Sequence, residues 1–247
     1  MNALTSIVAT EFKLFVREPL GSFFALVFPA VLIAVLGSAL PGFTDPAPEL
    51  GGRRPIDVYL PITLALAIAT VTMITLLGVL SAYRERGVLR RLATTPVSPA
   101  ALLGAQLIVN VAALLFGSLL AYATAAALFH VAAPGNIPGT VLAFGLGSAA
   151  MAAVALLIAA VAPSARASSG LGSIVYFPMM FAAGVWTPGP TMPESVRRVA
   201  EYTPLGAASQ ALQDAWSGHW PRPQELAVMA VLTVVFGAVA ARTFRWE

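Results

Sequence analysis

Charged side chains divide the sequence into long apolar stretches. Five stretches contain no Asp, Glu, Lys or Arg, and they cover 19–44, 58–83, 92–165, 167–193 and 226–241. About 20 apolar helical residues cross a bilayer core about 30 Å thick, so these stretches predict transmembrane helices. The third stretch is 74 residues long, but two prolines and a glycine over 130–138 predict a turn, so it holds two spans.

The apolar runs are continuous rather than alternating, which favours helices over a membrane β-barrel. The pattern therefore predicts a single all-α transmembrane domain over 1–247. Its six spans are expected at 23–40, 58–80, 101–129, 140–162, 168–185 and 226–241. The last span is short, but Trp220 and Trp246 flank it as interface anchors.

Two further segments are amphipathic. Within 1–18, Ser6, Thr10, Lys13 and Arg17 form one stripe of a helix, and the opposite face is apolar, with Leu4, Ile7, Val8, Phe12 and Phe15. This pattern predicts an interfacial helix on the inner leaflet. The segment 193–217 predicts a pair of short external helices, re-entrant or interfacial, because its arginines and glutamates are too costly to carry across the bilayer.

The basic residues predict the orientation. With six spans both termini lie on one side, and that side carries nine of the 14 basic residues. Because short cytoplasmic loops carry the excess of arginine and lysine, both termini are expected in the cytoplasm.

Composition excludes several classes of protein. Only 10% of the residues are charged and the mean hydropathy is +0.84, whereas soluble domains carry about 25% charged residues. No cysteine is present, the only histidines are His130 and His219, and no G-x-x-x-x-G-K-[ST] phosphate loop occurs. The sequence therefore predicts no catalytic, metal or cofactor site and no nucleic-acid partner, and any ATP hydrolysis must come from another chain.

A charged loop separates the second and third spans. Five charges fall within the eight residues RERGVLRR, and Val88, Leu89 and Leu92 share one face at helical spacing. A helix over 84–93 that docks a partner accounts for this pattern. A positive-inside stop signal accounts for it equally well on composition alone.

The loop RERGVLRRLATTPVSPAALLGAQL resembles the signature of type-2 ABC exporter permeases, particularly the daunorubicin-resistance permease-like branch. The segment FAAGVWTPGPTMPESVRRVAEYTPLGAASQALQDAW is similar to the pattern that follows the fifth span in that family. The resemblance covers nearly the whole chain. The loop between the first two spans, 41–57, is short, so the chain resembles a minimal member of the family.

The resemblance implies that two permease subunits, identical or homologous, pair and bind two separate ABC ATPase subunits, which hold the ATP and Mg²⁺. It implies that 84–93 is the coupling helix seated in the ATPase. The coupling residues are then Arg84, Glu85, Arg86, Gly87, Val88, Leu89, Arg90, Arg91, Leu92, Thr95 and Pro96. Spans two and five line the route in that family, and spans one and five contribute to the dimer contact.

Polar and aromatic residues within the spans are candidates for substrate contact. The candidate residues are Thr70, Thr75, Asn110, Tyr176, Phe177, Met180 and Phe181. An aromatic and methionine cluster suits an amphiphilic or polycyclic substrate, although it is also ordinary core packing, and membrane threonines often bond their own backbone.

The expected function is the permease subunit of an exporter that moves a hydrophobic or amphiphilic substrate, a drug or a lipid, out across a bacterial cytoplasmic membrane. Such a subunit is not an enzyme on its own, and multidrug efflux and antibiotic resistance are the associated roles. Export of lipid-linked polysaccharide, an ATPase-independent secondary transporter or channel, and a non-transporting scaffold or sensor remain alternatives.

Overall fold

The computed structural model describes residues 3–87, 99–188 and 191–243, and these residues form helices and loops without a β-strand. The helices are α1 (Ala3–Arg17), α2 (Pro19–Ala39), α3 (Pro55–Glu85), α4 (Pro99–Phe129), α5 (Ile137–Val161), α6 (Ala165–Ala182), α7 (Glu194–Ala200), α8 (Pro204–Trp216) and α9 (Pro223–Thr243). A 3₁₀ turn, Pro48–Leu50, lies in the loop before α3. The all-α prediction is confirmed.

Five of the described helices are long and apolar enough to cross a membrane: α2, α3, α4, α5 and α9. The fifth predicted span corresponds to α6, which has 18 residues. Its first two turns contain Arg166 and two serines. Its length of about 27 Å is close to the thickness of a bilayer core, but its composition is less apolar than that of the other five. Five spans are therefore supported, and the sixth stays a prediction.

Hydrogen bonds between helix ends, and between the loops next to them, divide the helix ends into two groups. At one end, which we call the α1 end, the Ser81 hydroxyl donates to the Ser168 hydroxyl at 2.6 Å, and Arg84 reaches the carbonyl of Ala162. At the opposite end, Arg54 Nη1 donates to the carbonyl oxygen of Phe129 at 3.0 Å, and the Gly135 N–H donates to the Trp216 carbonyl. This grouping is what helices running alternately up and down would produce.

Helix α3 is the centre of the fold. Of its most apolar 18 residues 83% are buried, compared with 11% for α9. On one flank α3 packs against α2 and α4, and on the other against α5, α6 and α8, while α9 packs on α5 and α8. The pairs α2 and α6, and α4 and α5, make at most slight contact with each other. Two lobes therefore share α3, with a gap on each side of it.

Small residues allow the closest helix approaches. A Cβ atom at Gly117 of α4 would lie 2.2 Å from the backbone oxygen of Ala25 in α2. That part of α2, Phe23–Val27, is π-helical and precedes Pro29, which has no N–H to donate to the Ala25 carbonyl. Likewise, a Cβ at Gly172 of α6 would lie 2.7 Å from Leu77 of α3. Glycine is needed at Gly117 because the two backbones approach so closely there, whereas at Gly172 the obstructing atom is the end of a leucine side chain, which can move.

The structure gives α1 a buried side that the sequence pattern does not predict. The polar stripe at Ser6, Thr10, Lys13 and Arg17 is exposed as expected, but Phe12 of the apolar face is exposed too. The side that packs on α4 instead carries Phe15 and the acidic residue Glu11, both buried. These residues stand four apart and so share a face of the helix.

The segment predicted as a coupling helix also differs. Arg84 and Glu85 are the last residues of α3, not the start of a new helix, and Gly87 has a φ of +62°. A glycine in this left-handed region commonly ends a helix, so no helix runs unbroken from 84 to 93.

The helices predicted within 193–217 occur as α7 and α8. Thr203 caps α8 by accepting a hydrogen bond from the Gly206 N–H at 3.1 Å. Helix α8 is packed between α3, α5 and α9, and Leu205, Ala208 and Leu212 are fully buried.

Candidate functional site

Part of α3 is exposed at the gap between α2 and α6. In the predicted span 58–80, Ile74 and Gly78 are exposed, whereas every residue from Leu60 to Met73 is buried. This stretch includes a π-helical segment, Val71–Leu76. Such segments are rare in helices and occur frequently at functional sites.

Two of the predicted substrate residues meet at this gap. The Thr70 hydroxyl donates to the carbonyl oxygen of Leu66 at 2.8 Å and accepts from the Tyr176 hydroxyl at 3.0 Å. The bond ties α3 to α6 beside the exposed part of α3. Thr75 lies one turn further along α3, and its buried hydroxyl oxygen has no partner among the described residues. An unsatisfied buried hydroxyl in a native structure calls for an explanation, and a polar ligand group is one.

The aromatic residues of α6 point outward rather than into the core. Phe177 is 58% exposed and Phe181 is 40% exposed, and the ring of Phe181 stacks on Trp186 with centroids 6.5 Å apart. Met180 is half-buried beside them. Ile174 extends the same exposed face, so α6 presents an uncovered apolar and aromatic surface next to the gap.

Asn110 is not part of this group. It lies in α4, where its amide nitrogen donates to the carbonyl of Gln106 at 2.7 Å and its buried oxygen has no partner in the described part of the chain. Helices α4 and α6 do not pack against each other. The structure therefore unites Thr70 with Tyr176, places Phe177, Met180 and Phe181 nearby, and separates Asn110 from all of them.

Arg84, predicted as a coupling residue, is turned inward. Its Nη1 atom donates to the carbonyl oxygens of Ala159 at 3.0 Å and Ala162 at 2.7 Å, at the C-terminal end of α5. A cation at this position satisfies orphan carbonyls and the negative end of the helix dipole. Glu85 and Arg86 are exposed. The other predicted coupling residues, Val88, Leu89, Arg90, Arg91, Leu92, Thr95 and Pro96, lie outside the described residues.

A buried carboxylate that the sequence analysis missed lies next to this region. Glu11 is 6% exposed and accepts hydrogen bonds from the Tyr83 hydroxyl at 2.7 Å and from the Gln106 side-chain amide. Burial raises the pKa of the Glu11 carboxyl, against the opposite effect of the bond from Tyr83. These bonds join α1 to the end of α3 and the start of α4, which flank the charged loop.

A second ionic group stands at the opposite end. Arg222 lies 3.7 Å from a carboxylate oxygen of Glu201, 3.4 Å from Asp214 and 3.6 Å from Glu225. The predicted spans contain no acidic residue, but Glu225 is buried in the first turn of α9. Among the described residues, no group of His, Cys, Asp and Glu side chains has a geometry that could hold a metal ion.

Comparison with known proteins adds one match. The family model described as ABC-2 type transporter matches residues 2–215, which is most of the chain. No curated protein matches the sequence. The matched region covers α1 to α8 and includes the charged loop, both sides of the gap between α2 and α6, and the Glu11 bonds.

Proposed function

This chain belongs to the ABC-2 type transporter family, whose membrane domains are permease components of ABC transporters, and on that premise we propose that it exports a hydrophobic or amphiphilic substrate, a drug or a lipid. In this proposal it is a member of the daunorubicin-resistance permease-like branch. It lies in a bacterial cytoplasmic membrane with both termini in the cytoplasm, and its physiological role is multidrug efflux.

The uncovered face beside α3 is the observation that carries the proposal. Phe177, Phe181 and Ile174 of α6 are exposed on one side of the gap. On the other side, α2 exposes Val27, Val31 and Val35 at helical spacing. A second permease subunit packed on these faces would enclose a route lined by aromatic rings and the Thr70–Tyr176 pair. Such a lining suits a ligand with a large apolar body and a few polar groups.

Energy for export comes, in this proposal, from two ABC ATPase subunits that bind ATP and Mg²⁺ and dock on the segment 84–93. Arg84 supports this role indirectly. Because its guanidinium holds the end of α3 against the end of α5, a movement imposed on the docked segment would reach both lobes. The exposed Glu85 and Arg86 are then the first residues available to the partner.

Transport can be tested in inverted membrane vesicles that contain the full chain and a co-expressed ABC ATPase, with daunorubicin as a fluorescent amphiphilic probe. We expect ATP-dependent accumulation of the probe. Replacing Phe177→Ala should slow it about two- to tenfold, since one aromatic contact contributes about 0.5–1.5 kcal/mol.

Phe116→Ala is the matched control, because Phe116 is 57% exposed on α4, away from the gap. It should leave accumulation unchanged. Equal accumulation by the two variants would contradict the assignment of the route, and no ATP-dependent accumulation by the wild-type pair would contradict the export of this substrate class.

Docking can be tested by co-purification of the ATPase from detergent extracts. The variants Glu85→Lys and Leu89→Asp should each reduce the amount recovered, because one reverses an exposed charge and the other places a charge on the apolar face that the sequence predicts for Val88, Leu89 and Leu92. Glu49→Lys makes the same charge reversal on an exposed residue of the loop before α3 and should have no effect. Full recovery with both coupling variants would show that this loop does not dock the partner.

A further inference from the structure

The second gap beside α3 forms a deep groove. Helices α4 and α5 follow one another in the chain and are joined by only a short turn, yet they do not pack against each other. The space between them is a cavity of about 830 Å³, with Leu64 of α3 at its floor and Trp216 of α8 near one end. This groove lies on the side of α3 away from α2 and α6, so it is separate from the proposed route.

The groove is as long as a bilayer core is thick. Its lining on α5 extends from Ile137 to Leu156, which is about 29 Å at the helical rise of 1.5 Å per residue. The hydrocarbon core is about 30 Å thick. Since α4 and α5 are two of the five helices suited to cross a membrane, the groove opens along its length toward lipid chains.

Two residues that line the groove each carry a buried polar atom. The indole nitrogen of Trp216 and the hydroxyl oxygen of Ser118 both belong to residues that line the groove, and neither has a hydrogen-bond partner among the described residues. Ser118 is only 8% exposed. An indole N–H can only donate, and a buried unsatisfied donor costs about 1–3 kcal/mol. The occupant of the groove should therefore carry a hydrogen-bond acceptor as well as an aliphatic chain.

The position of these atoms identifies the acceptor. Helix α4 has 31 residues, or about 46 Å, so it extends beyond the hydrocarbon core at both ends. Tyr122, whose ring contacts Trp216 at a centroid distance of 5.8 Å, stands about 10 Å from the end of α4 at Phe129. If α4 is centred in the bilayer, this is close to the edge of the core, where tryptophan and tyrosine side chains collect and where the ester groups of phospholipids lie.

We propose that the groove between α4 and α5 binds one membrane phospholipid, with an acyl chain between the two helices and an ester carbonyl oxygen accepting from Trp216 Nε1. A transmembrane helix 10–12 Å wide and 30 Å long occupies on the order of 2,400 Å³, so only part of a partner protein's helix could enter the groove of about 830 Å³. The inference requires only that the chain lies in a membrane, and it is independent of what the transporter exports.

Gly145 provides a direct way to fill the groove. It lines the cavity, and a Cβ atom added there would meet no other atom within 4 Å. The variant Gly145→Leu should therefore occupy the groove without disturbing protein packing. A second filling variant is Val141→Trp, at a residue that lines the groove and is 66% exposed. Gly170→Leu, on α6, is the matched control, because a Cβ there also meets open space but outside the groove.

The experiment is native mass spectrometry of the full chain released from a mild detergent after incubation with dipalmitoyl phosphatidylglycerol. Wild type and Gly170→Leu should retain one lipid per chain, and both filling variants should bind it at least tenfold more weakly. Equal retention by Gly145→Leu, Val141→Trp and wild type would overturn the proposal. So would a bound polypeptide that the filling variants release while the lipid content stays the same.

A second comparison isolates the hydrogen bond. The diether analogue of the same lipid lacks the ester carbonyl, so wild type should bind it about two- to tenfold more weakly than the ester lipid, the range expected for one hydrogen bond. Trp216→Phe should bind the two lipids equally, at the weaker level. Equal binding of the ester and ether lipids by wild type would refute the assigned role of Trp216.

Discussion

The crossing of α2 and α4 at Gly117 allows a quantitative test of the packing. In the variant Gly117→Ala the new methyl carbon would lie 2.2 Å from the Ala25 backbone oxygen, whereas ordinary contacts begin at 3.4 Å. The helices must then separate by about 1 Å, because the obstructing atom is backbone and cannot rotate away. Overpacking of this kind costs about 1–3 kcal/mol.

Gly104→Ala is the matched control in the same helix, since a Cβ at Gly104 meets no atom within 4 Å. There the change should stabilise α4 by about 0.5–1 kcal/mol, because alanine favours helix over glycine. The two variants should therefore differ in free energy of unfolding by about 1.5–4 kcal/mol. Unfolding in mixed micelles with increasing SDS, followed by circular dichroism, measures this difference. If Gly117→Ala is as stable as Gly104→Ala, α2 and α4 do not cross as described.

Three further predictions concern the two ends of the molecule. Glu11→Leu should destabilise the protein more than Glu11→Gln, which keeps an acceptor for the bonds that join α1 to α3 and α4. Burial raises the pKa of the Glu11 carboxyl above the usual 4.5, so the folded state binds the carboxyl proton more tightly than the unfolded state. The stability of the wild-type protein should therefore fall as the pH rises from about 4.5. Glu11→Gln should remove that part of the pH dependence. Arg84→Ala should lower the unfolding midpoint more than Arg84→Lys, because only the alanine variant leaves the α5 carbonyls without a cation. In a chain without native cysteines, a cysteine at Ser195 or at Ser217 should react with an impermeant thiol reagent outside intact cells, and one at Thr243 should not; labelling of Ser195 and Ser217 from opposite sides would contradict the six-span topology.

The sequence was sufficient for the helices because each is apolar along most of its length and ends near charged residues or at the turn over 130–138, which contains proline and glycine. It was not sufficient for α8. The pattern of Leu205, Ala208 and Leu212 predicts one apolar side, whereas the structure also buries Ala207 and Ala211. Small residues pack closely on any side of a helix, so the hydrophobic periodicity could not show that α8 is enclosed by three other helices.

The candidate site was predictable by residue type but not by pairing. Thr70 and Tyr176 are 106 positions apart, and nothing local to either residue indicates the bond between them. The inward position of Arg84 could not be predicted either. An arginine in a charged run is expected at the surface, and only the fold shows that the end of α5 lies beside it. Glu11 gave only a weak signal: it stands at helical spacing from Val8 and Phe15, on the side of α1 that becomes buried.

The order of the two lobes along the chain has a consequence for biosynthesis. Helices α1, α2, α3 and α4 leave the ribosome first and already contact one another, so the N-terminal lobe can assemble while the rest is still being made. One flank of α3 then faces lipid until α5, α6 and α8 arrive to cover it. Because the division falls at the turn between α4 and α5, the two halves should reassemble when they are synthesised as separate polypeptides split within 131–135. The newly made protein is most exposed to misassembly and proteolysis in the interval before the second half docks.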